Sequence, residues 1–185
     1  GDNEPTPEVI TSNWLSFLNK IRVLGKAVLV TDYCSDTFNI KNSFERNNLQ
    51  HFISFASESR EMDIIPMNSS KPYHENSKNV EKIIQAKNFL YLINPSGFSN
   101  KEEMIEDLSQ TNYDLLIIDA YFSDFEMFTN EDVYHLKEKI NGGKRLILSY
   151  LSIGEAEDYR YYWQKEWDIN PPSWLEEENP DWSGN

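Results

Sequence analysis

At 185 residues the chain can bury a sizeable core within one domain, and its composition of 39% apolar and 26% charged residues is that of a globular protein. A formal net charge of −14, with no basic stripe to offset it, repels phosphate backbones and sets nucleic acid aside as a partner. No apolar run approaches the roughly 18 to 20 residues of a transmembrane segment. The lone cysteine, Cys34, excludes an internal disulfide, and His51, His74 and His135 lack the short spacings of a zinc site, so neither a metal nor a cofactor is implied.

Residues 1–7 read as an acidic, Pro-rich tether of the kind that follows a removed export signal, or as a frayed terminus. Residues 8–185 form the candidate domain. Val9, Ile10, Trp14, Leu15, Phe17, Leu18, Ile21 and Leu24 recur near a 3.6-residue period, which predicts an amphipathic helix ended by Gly25, with Ser12 a possible cap. A β-branched run over Lys26–Tyr33 predicts a strand. Between Ser35 and His51 the chain is polar and lacks a periodic apolar face, so a long loop is expected there. A short strand at Phe52–Ala56 follows, paired with the first in either direction.

After a loop at Pro66–Asn76 and a short helix at Val80–Ala86 the rhythm becomes regular. Phe89–Ile93 reads as a strand, Lys101–Leu108 as a helix capped by Ser99, Tyr113–Asp119 as a strand buried on both faces, Asn130–Ile140 as a helix stopped by Asn141-Gly142-Gly143, and Lys144–Tyr150 as a third strand. Strand and helix alternating with short links predict parallel βα units, at the spacing of a (β/α)₈ barrel, although 185 residues fall short of the roughly 250 such a barrel needs.

The chemistry is expected where strands end. Asp119 directly follows four apolar residues, a costly place for a charge unless a site needs it, the other reading being a carboxylate that caps the next segment or pairs with a neighbouring basic residue. Glu155 follows the next strand beside Gly154. Since neighbouring strands lie about 4.8 Å apart, the two carboxylates are candidates for the roughly 5 to 9.5 Å pairing that glycosidases use. Glu157 and Asp158 lie in the predicted first turn of a helix over Ala156–Trp163, where negative charge is favourable in any case. Asp158 and Arg160 are a candidate ion pair. Tyr121, Tyr150, Tyr159, Tyr161, Tyr162 and Trp163, with Trp167, Trp174 and Trp182 beyond, supply flat faces on which sugars stack, or else core residues. Cys34 reads as structural and Asp32 as a minor candidate. Phosphate loops, nucleophile elbows and His-Glu-x-x-His are absent.

Four segments carry a resemblance: Tyr113–Asp119 (YDLLIID), Asn141–Arg145 (NGGKR), Ser149–Arg160 (SYLSIGEAEDYR) with Tyr162-Trp163, and Asn179–Asn185 (NPDWSGN). Together they resemble glycoside hydrolase family 114, the endo-α-1,4-polygalactosaminidase-like proteins, most specifically from about Asn88 onward. The resemblance implies a (β/α)₈ TIM barrel of which this chain covers about the N-terminal half, preceded by an extra N-terminal helix and strand pair. It also implies export, and hydrolysis of an amino-sugar polysaccharide by carboxylate acid/base chemistry. On that basis Glu155 and Asp119 are the catalytic candidates, and Tyr121, Tyr150, Asp158, Arg160 and Trp182 are the substrate-binding ones. The alternatives are a non-catalytic carbohydrate-binding or surface protein and a purely structural domain. A chain that stops part-way through such a barrel should expose strand edges and an open apolar face.

Overall fold

A computed structural model describes residues 6–34, 36–67, 71–178 and 180. Helix α1 (Glu8–Val23) forms where the apolar period places it, but it begins directly after Pro7 and Ser12 lies inside it, bonded to Glu8. None of its residues is fully buried; Trp14 and Phe17 face outward edge-to-face.

Strand β1 (Leu29–Tyr33) pairs with β2 (Ile53–Ser57), and the pairing is parallel, Leu29 opposite Ile53 through Tyr33 opposite Ser57. A parallel pair needs a crossover. That crossover is helix α2 (Thr37–Leu49), in the stretch where polarity predicts a loop. Polar contacts, one at its cap and the others to β1 and α1, hold the helix. The Asp36 side chain accepts from the Asn39 amide at the N-terminus. Asp32, at the end of β1, accepts from Ser43 at 2.6 Å and Asn47 at 3.2 Å. Arg46 forks onto Glu8 of α1.

The second sheet has the order β3 (Leu90–Leu92), β4 (Leu115–Asp119), β7 (Leu146–Tyr150), all parallel. Helix α3 (Lys101–Ser109) joins β3 to β4, and α4 (Asn130–Leu136) precedes β7. The cap of α3 is Asn100 rather than Ser99; its side chain accepts from the Glu103 amide, and Glu103 accepts back from Ser99. The expected helix over Val80–Ala86 shrinks to a 3₁₀ turn at Ile83–Gln85. Helix α4 ends four residues early because the chain beyond it turns so that the Lys139 ammonium reaches Asp114 at 2.8 Å, both side chains being fully buried. A small antiparallel hairpin, β5 (Tyr121–Ser123) and β6 (Glu126–Met127), follows β4.

The core is one cluster. Leu90, Leu92, Leu115, Leu116 and Ile118 of the three-stranded sheet meet Met104 and Leu108 of α3 and Leu136 of α4, while Ile53 and Phe55 of β2 pack in beside Phe89 and Tyr113. At the N-terminal edge of the sheet a polar lattice closes the base. Asp114 accepts from Lys139, Asn76 and the Lys87 amide, and buried Arg145 donates to Thr111 and to the Glu138 carbonyl. Burial lowers the Arg145 guanidinium to about 10, although the nearby Asp114 charge opposes the shift.

The barrel expectation is overturned. Among the described residues the strands form separate sheets of two, three and two strands, one of them antiparallel, and no eight-fold (β/α) barrel or N-terminal half of one results. Closure requires consecutive staggered parallel strands around a ring. Here β3 and β7 are the ends of their ladder, and β7 is only half-buried along its length while β4 is buried.

Candidate functional site

The loops that follow β2, β3, β4 and β7 converge on a broad, open cleft of about 2280 Å³ at the C-terminal ends of the strands. The loop at 58–63 is tied to the end of β3 by the Ile93 amide, which donates to the Met62 carbonyl at 3.1 Å, so both parallel units contribute walls. Ligands of parallel α/β sheets bind at this end.

Asp119 is the floor. It is the last residue of β4, where the register brings it opposite Tyr150 of β7, and its side chain is 10% exposed. Both of its oxygens are engaged: Oδ1 accepts from Arg160 Nη1 at 2.9 Å and from the Tyr121 amide at 2.9 Å, and Oδ2 accepts from Arg160 Nη2 at 2.7 Å. A carboxylate gripped in this bidentate way is a strut. It anchors the loop that carries Arg160 to the strand ends.

Arg160 does not pair with Asp158. Its Nε donates to Glu157 Oε2 at 2.6 Å, and the same carboxylate accepts the Tyr159 hydroxyl at 2.6 Å, while the Glu157 amide donates to the Tyr162 hydroxyl at 3.0 Å. Hydrogen bonding to Asp119 holds the Arg160 guanidinium charged well above its ordinary range, against the opposing effect of burial, and Glu157 adds to it. Burial, then the hydrogen bond to Glu157, raise the Tyr159 phenol. The helix predicted over Ala156–Trp163 is therefore a series of turns. Pairing across 41 residues to Asp119 outcompetes local helical bonding, whose intrinsic propensity is a weak preference.

Aromatic rings line this loop. Tyr121 stacks on Tyr161, centroids 6.0 Å apart and 16° between planes, and Arg160 lies over the Tyr121 and Tyr159 rings. Trp163, Trp167 and Trp174 meet edge-to-face in series at 5.3 Å, with Trp163 Nε1 donating to Asp168 and Trp174 left 62% exposed. Tyr150 sits half-buried in the cleft wall, edge-on to Tyr91. Burial raises the Tyr91 phenol.

The structure thus gathers Asp119, Tyr121, Tyr150, Glu155, Asp158 and Arg160 on one cleft. Trp182 lies outside the described residues. Glu155 and Asp158 are exposed on the cleft wall. Glu157, assigned from sequence to helix decoration, is instead central to the network; its three-residue spacing from Arg160 was the one signal that pointed to it. Glu61, Asp124, Asp168 and the run Glu176-Glu177-Glu178 add further carboxylates, whereas Arg60 and Arg160 are the cations among the described lining residues, so the cleft is strongly acidic. Asp32 is taken up in holding α2, and the described residues contain no cluster of His, Cys, Asp or Glu suited to a metal ion. None of the described helices is long and apolar enough to cross a membrane.

No family model matches the chain, and no solved structure matches it. Three curated relatives do. It is 35% identical over 120 residues to the uncharacterized protein MJ1477 of Methanocaldococcus jannaschii, covering 64% of this chain and 33% of that one. It is 35% identical over 79 residues to an uncharacterized protein of Thermotoga maritima, covering 43% and 24%, and 37% identical over 73 residues to one of Deinococcus radiodurans, covering 40% and 22%. The chain spans a third or less of the length of these relatives.

Proposed function

We propose that the cleft binds a cationic amino-sugar polysaccharide and hydrolyses it in the manner of the glycoside hydrolase family 114 proteins that the sequence resembles. The observation that carries this reading is the pairing of an acidic wall with exposed aromatic faces in an open trough at the strand ends. Stacking rings accept the apolar faces of pyranoses, and carboxylates complement ammonium groups on a partly deacetylated polymer. Export follows from the reading, because such polymers lie outside the cell.

Within it, Glu155 is the acid/base candidate, standing exposed in the cleft just beyond β7. Asp119 is a positioning group, since each of its oxygens already accepts a hydrogen bond from Arg160. Release of reducing ends from partly deacetylated polygalactosamine tests the proposal. Glu155→Gln should lower the rate by about 10²- to 10⁴-fold with polymer binding retained; unchanged turnover removes Glu155 from the chemistry. The engagement of Asp119 also favours a second reading, a carbohydrate-binding protein without catalysis. Polymer retention by the wild-type chain with no reducing-end release identifies that alternative.

A further inference from the structure

A guanidinium on the wall of a sugar cleft ordinarily recruits anionic sugars, because its planar fork fits carboxylate and sulfate groups. Arg160 is placed for that, at 16% side-chain exposure on the cleft wall, yet its fork is already filled from within the chain. Asp119 takes Nη1 and Nη2, and Glu157 takes Nε. Two carboxylates therefore outweigh one guanidinium. Of the roughly five N–H donors an arginine carries, those contacts use three, and the rest, on Nη1 and Nη2, stay able to donate to uncharged hydroxyls.

The two carboxylates differ in their other work. Asp119 belongs to β4 and also receives the Tyr121 amide, so it is part of the scaffold. Glu157 sits in the loop, 20% exposed, and turns the side chains of Arg160 and Tyr159 toward each other. We propose that Glu157 is a specificity-determining residue: with Asp119 it cancels the charge of Arg160, so that the guanidinium donates hydrogen bonds to sugar hydroxyls while carboxylated sugars are turned away. This rests on the sugar-binding half of the proposed function and is independent of hydrolysis.

The test compares binding of an anionic probe, polygalacturonate, with a cationic one, partly deacetylated polygalactosamine, at low ionic strength. The wild-type chain should retain the cationic polymer and exclude polygalacturonate. Glu157→Gln, which keeps the shape and one acceptor but removes the charge, should move the ratio of the two affinities toward polygalacturonate by about tenfold. Asp119→Asn should move it in the same direction, and supplies the second measurement if Glu157→Gln unfolds. Glu157→Gln combined with Arg160→Gln should restore the exclusion, whereas Glu176→Gln, which makes the same change of charge elsewhere in the cleft, should leave the ratio unmoved; an equal gain in Glu176→Gln marks a general effect of charge and overturns the proposal. An unmoved ratio in both single variants, a gain that survives in the double variant, or a wild type that binds polygalacturonate or neither polymer overturns the proposal. A wild type that shows the predicted selectivity without releasing reducing ends overturns only the hydrolytic reading.

Discussion

Cys34 lies just past the end of β1, 8% exposed, and its thiol is pushed up to about 11 by burial first and by the Asp32 and Asp36 carboxylates after it. A folded-state value above the unfolded one stabilises the protein fully below about pH 9 and loses that contribution as pH rises through 11. Urea titrations at pH 8 and pH 11 should therefore show the wild type losing more stability than Cys34→Ala; parallel losses in the two proteins would mean that the thiol does not ionise on unfolding. At the same scale, Asp119 was legible in the sequence because a charge after four apolar residues is expensive wherever it serves no purpose. Glu157 was not, since a carboxylate near a presumed helix start has a sufficient local explanation, and its real partners are fixed by a strand 41 residues away.

Among the elements, α2 is the one that a hydrophobic pattern could not reveal. Its single buried residue is Asn47, whose side chain bonds Asp32 while its carbonyl receives the Phe52 amide. The helix is held by polar contacts along its length and by Phe44, which stacks on Tyr73. Asp36→Ala removes the acceptor for the Asn39 amide and should cost about 1 kcal/mol, measured by urea unfolding. A value near zero would show that the contacts of Ser43, Arg46 and Asn47 hold the helix without its cap. The helix expected over Ala156–Trp163 failed for the opposite reason: its residues suit a helix, but Arg160 finds a stronger partner in Asp119, 41 residues away.

For the molecule as a whole, the base of the sheet depends on the Lys139–Asp114 pair, 2.8 Å apart with neither side chain exposed. Lys139 also donates to the carbonyls of Asn76 and Lys78, so one ammonium ties the 71–80 strap, the start of β4 and the turn after α4 together. Lys139→Met leaves the Asp114 charge buried without its counterion and should destabilise the chain by about 3 to 5 kcal/mol. A loss under 1 kcal/mol in urea unfolding would show that the Asn76 side chain and the Lys87 amide suffice for Asp114.

The sequence by itself determined helix α1, the strands of the second sheet, the helices between them, and the end of the sheet where charged and aromatic residues collect. These follow from periodicity and from the cost of charge beside apolar residues, both local properties of the chain. Only the tertiary structure decided that β1 and β2 run parallel, that the strands divide into separate sheets with β7 at an open edge, and that Asp119, Arg160 and Glu157 interlock. Those outcomes depend on which distant groups can reach one another, and apart from the three-residue spacing of Glu157 and Arg160 no spacing along the chain carries that information.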